Sequence, residues 1–454
     1  CRLRSRTVAR RERPDDDGGR LMDVRSALLP LFRKIARIYF REIEVAGDVP
    51  SPSTGGRLFA ANHVNGLVDP ILVLTQAPCR ISPVAKSTLW NIPGLKWLLD
   101  AADAVPIVRR RDVPEKREDD NEAAFVRVAS HLRDGGNILI FPEGTSHNEP
   151  RLLALRSGAG RMLSRASVDG RDDLTFQAVA LEFDERDVFR SRALVLFGPV
   201  RRVGDMPAED RAKEITDVLR QDLSELLVEG STWEERLLVV RVAEMFANDA
   251  DDTSLRHVNE LGRRIEEARR VLDGSAHDEV AAIEVRVLRY LDRLEEEETD
   301  DSSIARVARG VSFGERRHLP RVALLLAMLP LALVGVVFYW LPYQLPRFVT
   351  RRLKGDPDVA STYKLGVGLV VFPLWAAATI LVLLLELPSI ELAALATVVV
   401  VASPFSALAW LDRWDHLARS SMLAPSEERR ARLVALAAER TAIMRALHAL
   451  SERA

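Results

Sequence analysis

The sequence predicts an α/β fold, a mostly parallel sheet flanked by helices, followed by a helical linker and C-terminal transmembrane helices. Three observations carry that prediction. Between residues 42 and 227, short apolar runs bounded by turn residues alternate with stretches of helical periodicity, the pattern of βα units. From 232 to 298 the chain is rich in charge and carries apolar stripes at helical spacing, as in Leu261, Ile265, Ala268 and Leu272. Three apolar stretches then follow, each of about 20 residues, the length that crosses a bilayer core.

Taken in order, residues 1–22 are Arg-rich, then Asp- and Gly-rich, with little to bury, and a disordered tail is expected. Cys1 in place of an initiating Met reads as a trimmed or incomplete start, and no secretory signal is visible. Cys1 and Cys79 are the only cysteines, which excludes a disulfide framework and points the soluble part to a reducing compartment. Residues 24–41 set Leu28, Phe32, Ile35 and Tyr39 on one helical face, flanked by Arg25, Arg33, Lys34, Arg37 and Arg41. Such a basic amphipathic helix suits an anionic membrane surface, and the same stripe also suits covering a domain core.

Strands are expected at 42–45, 57–61, 81–85, 104–108, 137–141, 176–181 and 193–197, and helices at 70–76, 95–102, 118–133, 158–167 and 207–227. These make a domain over 23–230, entered through the amphipathic helix. A helical linker or accessory region is expected over 231–315, with the acidic run 295–298 as a solvated end. A membrane region is expected over 316–415 and a final amphipathic helix over 416–454.

The apolar stretches are 319–341, 366–387 and 392–411, the last two close enough to read as a hairpin. Arg316, Arg317 and Arg321 precede the first; Arg347, Arg351, Arg352, Lys354 and Lys364 follow it; Arg413 and Arg419 follow the third. Basic loops prefer the cytoplasm, so both flanks of 319–341 ask for the same side. Pro330 in its middle would let that stretch enter and return, or lie shallowly; the alternative is three full spans.

The chemistry-bearing residues lie at strand ends. His63 follows the apolar run 58–61, and Asp69-Pro70 opens the next helix, Asp69 expected as N-cap and Pro70 at the first helical position. A carboxylate beside a His can fix the imidazole tautomer and stabilise the imidazolium that forms when the His takes a proton. Read alone, Asp69 is equally a plain cap. The strand 137–141 ends likewise in a polar turn, Phe141-Pro142-Glu143-Gly144-Thr145-Ser146. Two such ends can converge at the carboxyl edge of one sheet, where open α/β folds place their sites. A net charge of −2 gives no reason to expect nucleic acid, and the eight His residues show no metal-ligand spacing.

This pairing resembles the glycerolipid acyltransferase superfamily. Its four blocks have counterparts in order: Asn62-His63 through Asp69, Val105-Pro106-Ile107-Val108-Arg109, Phe141-Pro142-Glu143-Gly144-Thr145, and the apolar strand 178–183. Two departures stand out. Five residues separate His63 from Asp69 where the superfamily usually has four, and the last strand lacks the usual Pro. The long first block, Phe189-Arg190-Ser191-Arg192 and Tyr363-Lys364 are similar to the membrane glycerol-3-phosphate and dihydroxyacetone-phosphate acyltransferases.

The resemblance implies an O-acyltransferase of phospholipid synthesis, with His63 as general base and Asp69 as its orienting partner. It assigns Arg109 to the acceptor phosphate, and Asn62, Phe141, Pro142, Glu143, Gly144, Thr145 and Ser146 to substrate binding, Glu143 ordering the Arg and the loop backbone. Arg156, ahead of Gly158, matches a basic element at a helix start. The implied partners are membrane lipids, acyl-CoA or acyl carrier protein as co-substrate, and a phosphorylated glycerol acceptor. No cofactor, metal or nucleic acid is expected, and the domain would work on the cytoplasmic face of a membrane. Glycerol 3-phosphate at its sn-1 hydroxyl is the first acceptor to consider. Lysophosphatidate or another lysophospholipid is the alternative, and a non-catalytic lipid-binding scaffold the rival of another class.

Overall fold

The structure, a computed structural model, describes residues 24–52, 55–92, 94–108, 122–168, 173–272, 274, 276–310, 319–353, 357–420 and 426–453. Residues 1–22, expected as a disordered tail, lie outside the described residues.

The first half of the chain is an α/β unit. It runs through α1 (Val24–Tyr39), β1 (Glu42–Gly47), β2 (Arg57–Ala61), α2 (Val68–Gln76), β3 (Ile81–Lys86), α3 (Leu95–Ala101) and β4 (Val105–Ile107). Then come α4 (Glu122–Arg133), β5 (Asn137–Ile140), α5 (Gly158–Ala166), β6 (Thr175–Phe183), β7 (Arg192–Arg202) and α6 (Arg211–Leu226). One seven-stranded sheet results, in the order β1-β7-β6-β2-β5-β3-β4. Strands β2 to β6 run parallel to one another; β7 is antiparallel to β6 and carries β1 parallel to itself. The expected mostly parallel sheet is what forms.

Period-two alternation builds the two faces. Leu58, Ala60, Ile138 and Ile140 point into a core closed by Phe125 and Leu132 of α4, Met162 of α5, and Leu219 and Leu223 of α6. Phe59, Ala61 and Leu139 point the other way, onto Leu72 and Val73 of α2 and Tyr39 at the end of α1. Burying each such Leu or Phe stabilises the fold by roughly 1.5–3 kcal/mol, which fixes the register of β2 between β5 and β6. Helix α1 therefore serves the core at its C-terminal end. Its basic residues also bind protein: Arg33 donates to the Thr75 carbonyl at 2.8 Å and Arg25 to that of Ala102 at 3.0 Å.

The expected helical linker folds as α7 (Trp233–Ala250), α8 (Leu255–Leu272), α9 (His277–Glu296) and α10 (Asp301–Ala308), and the chain's last helix, α14 (Glu427–Ser451), packs into it. The expected final amphipathic helix buries its apolar face, Leu433, Leu436, Ile443 and Met444, in this bundle. Arg440, 2% exposed, donates to Asp301 Oδ1 at 2.8 Å, to Asp249 Oδ1 at 2.7 Å and to the Met245 carbonyl at 2.8 Å. The acidic run is likewise not a free end, because Glu297 accepts from Arg429 and Arg432 of α14.

Between α10 and α14 lie three apolar helices, α11 (Leu319–Leu353), α12 (Pro357–Glu386) and α13 (Ile390–Ser420). Each is long and apolar enough to cross a membrane. Helix α11 continues unbroken through Pro330, Pro342 and Pro346, so the return at Pro330 that the charge pattern allowed does not occur. Its Leu325 carbonyl accepts from Trp410 Nε1 of α13 at 3.0 Å, and its Tyr343 ring lies against Phe189 of the α/β unit. Arg190 joins Asp412 of α13 to the carbonyls of Arg37, Ile38 and Phe40 at the end of α1.

Candidate active site

The parallel register brings the C-terminal ends of β2 and β5 side by side, and the site is built on the turns that leave them. His63 and Asp69 meet as expected: Nδ1 lies 2.9 Å from Asp69 Oδ2, with the carboxylate wholly buried and the imidazole 12% exposed. The same carboxylate oxygen accepts the N–H groups of Val64 at 2.8 Å and Asn65 at 2.7 Å. An ionised carboxylate can only accept, so Nδ1 carries the proton and Nε2 presents its lone pair. The extra residue between His63 and Asp69 is absorbed by a turn through Gly66 at φ +45°. Helix α2 begins at Val68, with Leu67 as N-cap. Asp69 is therefore not the cap it reads as; its carboxylate turns back to close the His63 turn.

Glu143 ties this turn to the second one. Its buried carboxylate accepts the His63 N–H at 2.7 Å, the Leu153 N–H at 3.0 Å and the Nε2–H of His147. His147 Nδ1 accepts the Glu149 N–H at 3.1 Å, which fixes its tautomer, and the His147 N–H donates to the His63 carbonyl at 3.1 Å. The Phe141 ring stacks on the His63 imidazole with centroids 4.1 Å apart, and Pro142 is buried between these residues. Gly144 adopts φ +77°, and a Cβ there would collide with the Arg156 side chain. Arg156 donates its N–H to the Pro142 carbonyl at 2.8 Å, and its exposed side chain lies beside this loop. Thr145 Oγ1 bonds the Ser146 carbonyl at 3.1 Å, and both residues remain half-exposed.

Two of the expected site residues are bonded to protein groups. The Asn62 amide is buried and doubly bonded to the Leu181 backbone, Nδ2 donating at 3.1 Å and Oδ1 accepting at 2.7 Å. It splices the turn to β6. Among the described residues Glu143 orders backbone and His147, with no Arg on it. Arg109 lies outside the described residues; the strand leading to it, β4, runs parallel to β3 and ends toward the same sheet edge as His63.

Two residues of the site are not read from the sequence. His147 carries a weak signal, lying four residues after Glu143. Arg186 carries none. Its guanidinium donates to the carbonyls of Val64 and His147, each at 3.3 Å, and lies 4.7 Å over the Trp233 ring of α7. Burial, then the neighbouring Arg236, pull its pKa down from the usual arginine value. Its carbonyl accepts Asn65 Nδ2 at 2.7 Å. Beside these residues opens a cleft of about 460 Å³, lined among others by Val64, Glu143, His147, Arg186 and Trp233.

The arrangement can take a proton from a hydroxyl at His63 Nε2 and hold the resulting imidazolium against a buried carboxylate. The same part of the chain is similar to known proteins. Residues 42–181 match the acyltransferase family model. Glycerol-3-phosphate O-acyltransferase 2 of Saccharomyces cerevisiae is 29% identical over 131 residues, 27% of this chain and 18% of that protein. Lyso-ornithine lipid O-acyltransferase of Pseudomonas aeruginosa is 31% identical over 142 residues, 31% of this chain and 48% of that protein. The matches thus span less than half the length of each of these relatives. The crystal structure of a 1-acyl-sn-glycerophosphate acyltransferase from Thermotoga maritima is 16% identical, covering 45% of this chain and 81% of that one at a TM-score of 0.33. The segment that matches the acyltransferase family model, residues 42–181, holds the His63–Asp69 pair and Glu143.

Proposed function

We propose that this protein is an O-acyltransferase that moves a fatty-acyl group from acyl-CoA or acyl carrier protein to the sn-1 hydroxyl of glycerol 3-phosphate. The observation that carries the reading is the 2.9 Å bond from His63 Nδ1 to Asp69 Oδ2, inside a turn bolted to the Phe141–Gly144 loop through Glu143. His63 Nε2 takes the acceptor's proton as the hydroxyl oxygen forms its bond to the thioester carbonyl carbon. The carbon–sulfur bond then breaks and the thiolate recovers the proton from the imidazolium. The donor is already activated, so no enzyme nucleophile is needed. Cys79 is a poor one in any case, since it is buried and burial raises its thiol pKa. The acceptor phosphate is assigned to Arg109 and Arg156, whose guanidinium groups can grip it bidentately.

An intact pair argues against a lipid-binding scaffold that has lost its chemistry. A lysolipid acceptor is the second reading, favoured by the similarity to the Pseudomonas enzyme. The test is an acceptor panel with the full chain in detergent and His63→Ala beside it. Loss of at least 100-fold in transfer to glycerol 3-phosphate is expected, given the roughly 10²–10⁴-fold worth of a general base. Parental rates in His63→Ala sink the mechanism; transfer to lysolipids alone replaces the acceptor.

The same reading sets the domain on the cytoplasmic face, with α12 and α13 as a hairpin across the bilayer and α11 lying along its surface. Two facts support it. Helices α10 and α14 share one core, so the apolar segment leaves from and returns to one body. Within α11, Leu325 meets Trp410 of α13, two residues before the Asp412 that pairs with Arg190, while Tyr343 meets Phe189 of the α/β unit.

A further inference from the structure

The turn that carries Asp69 is held by a residue 295 positions away. The N–H of Leu67, N-cap of α2, donates to Thr362 Oγ1 at the start of α12, at 2.9 Å. The neighbouring Ser361, fully buried, donates its hydroxyl to the Arg186 carbonyl at 2.9 Å, the same oxygen that accepts Asn65 Nδ2. Lys364 bonds the Asp187 carbonyl, and Leu365 packs on the core cluster beneath α2. Two consecutive hydroxyls of an apolar helix thus reach the loop between His63 and Asp69 from outside, one at Leu67 and one through the carbonyl shared with Asn65.

That loop needs outside support. It runs one residue longer than the superfamily's usual block and passes through Gly66 in the left-handed region. Its own carboxylate, Asp69, accepts from Val64 and Asn65 but leaves the Leu67 N–H to another acceptor. We propose that the second turn of α12 is a positioning element of the active site: Thr362, assisted by Ser361, holds the loop in the form that aligns Asp69 with His63. On this view the membrane helix does more than tether the domain, because the geometry of the catalytic pair depends on α12 being seated. The inference rests on the acyltransferase reading for its kinetic consequence, but not for its structural one.

The experiment uses the full chain reconstituted in phospholipid vesicles, with Thr362→Val, Thr362→Ser and Ser361→Ala. For Thr362→Val, kcat for glycerol 3-phosphate should fall roughly 3–10-fold, the scale of one lost hydrogen bond, with KM unchanged. The acid limb of the kcat–pH profile should move to lower pH, because a loosened Asp69 stabilises the imidazolium less. Amide hydrogen exchange in the peptide spanning 62–70 should quicken, with Thr362→Ser restoring all three and Ser361→Ala giving a smaller change in the same direction. Parental kcat and exchange in both Thr362→Val and Ser361→Ala overturn the proposal. So does a rise in KM at constant kcat, or a fall in kcat with the pH limb and the exchange unmoved. Should the parent transfer no acyl group to any acceptor, the functional reading fails and the exchange arm alone still decides this one.

Discussion

At His63 three donors converge on one oxygen of Asp69, which explains both the order of the turn and its chemistry. The two backbone N–H groups hold the carboxylate so that the imidazole inherits a fixed partner rather than a mobile one. Asp69→Asn keeps the shape and one acceptor oxygen but removes the charge that stabilises the imidazolium, and sets an amide nitrogen where buried Oδ1 lies. The variant should lose roughly 10²–10⁴-fold in kcat with KM for the acceptor nearly unchanged; steady-state kinetics at saturating donor checks it, and a parental kcat contradicts the assigned role. The pair was legible in the sequence because its members lie six residues apart at a strand end. What Asp69 does besides was not, since an Asp before Pro reads as a helix cap. Nor was Arg186, which reaches Val64 across 122 residues of sequence and shows no motif.

Elements follow from local pattern wherever burial is two-sided and periodic, as in β2, β5 and β6, whose every interior residue is buried. Caps are legible only when both partners are near in sequence, and α7 is such a case. Thr232 accepts the Glu235 N–H at 3.2 Å while the Glu235 carboxylate accepts the Ser231 N–H at 2.7 Å, a reciprocal capping arrangement. The Ser231 hydroxyl and then Arg269 help hold the Glu235 carboxyl down at about 2, from 4.5. A depressed folded-state value means that the stabilisation is present above the ordinary glutamate range and lost as pH falls toward 2. Glu235→Gln should therefore unfold at lower temperature than the parent at pH 7, by the equivalent of about 1 kcal/mol, and the gap should shrink as pH drops below 4.5. Thermal unfolding in detergent across that range measures it; a gap independent of pH assigns the effect to packing. By contrast, the docking of α14 could not be read ahead. Arg440 looks like a solvated residue until Asp249 and Asp301, 191 and 139 residues earlier, are brought to it.

For the whole molecule, parity decides how three apolar helices can share a membrane with a domain that touches both their ends. Three full crossings would put the start of α11 and the end of α13 on opposite faces. Yet α10 and α14 share one core, and Asp412 near the end of α13 pairs with Arg190 of the α/β unit. The start of α12 also meets that unit, at Leu67 and Arg186, and on the proposed topology α12 and α13 are the crossing pair. On α11, Leu325 meets Trp410 of α13, while Tyr343, about 27 Å further along at 1.5 Å per residue, meets Phe189 of the α/β unit. The basic residues Arg321, Arg351 and Arg352, at the two ends of α11, then fall on one face without cost, as the distribution of positive charge prefers. Single cysteines placed by Arg321→Cys, Arg352→Cys and Pro388→Cys, in a background freed of Cys1 and Cys79, give the test. In sealed inside-out vesicles a membrane-impermeant maleimide should label the first two and spare the third, until detergent exposes it. Labelling of Arg321→Cys and Arg352→Cys from opposite faces would make α11 a true span, and the domain contacts at its two ends could not then coexist in a bilayer.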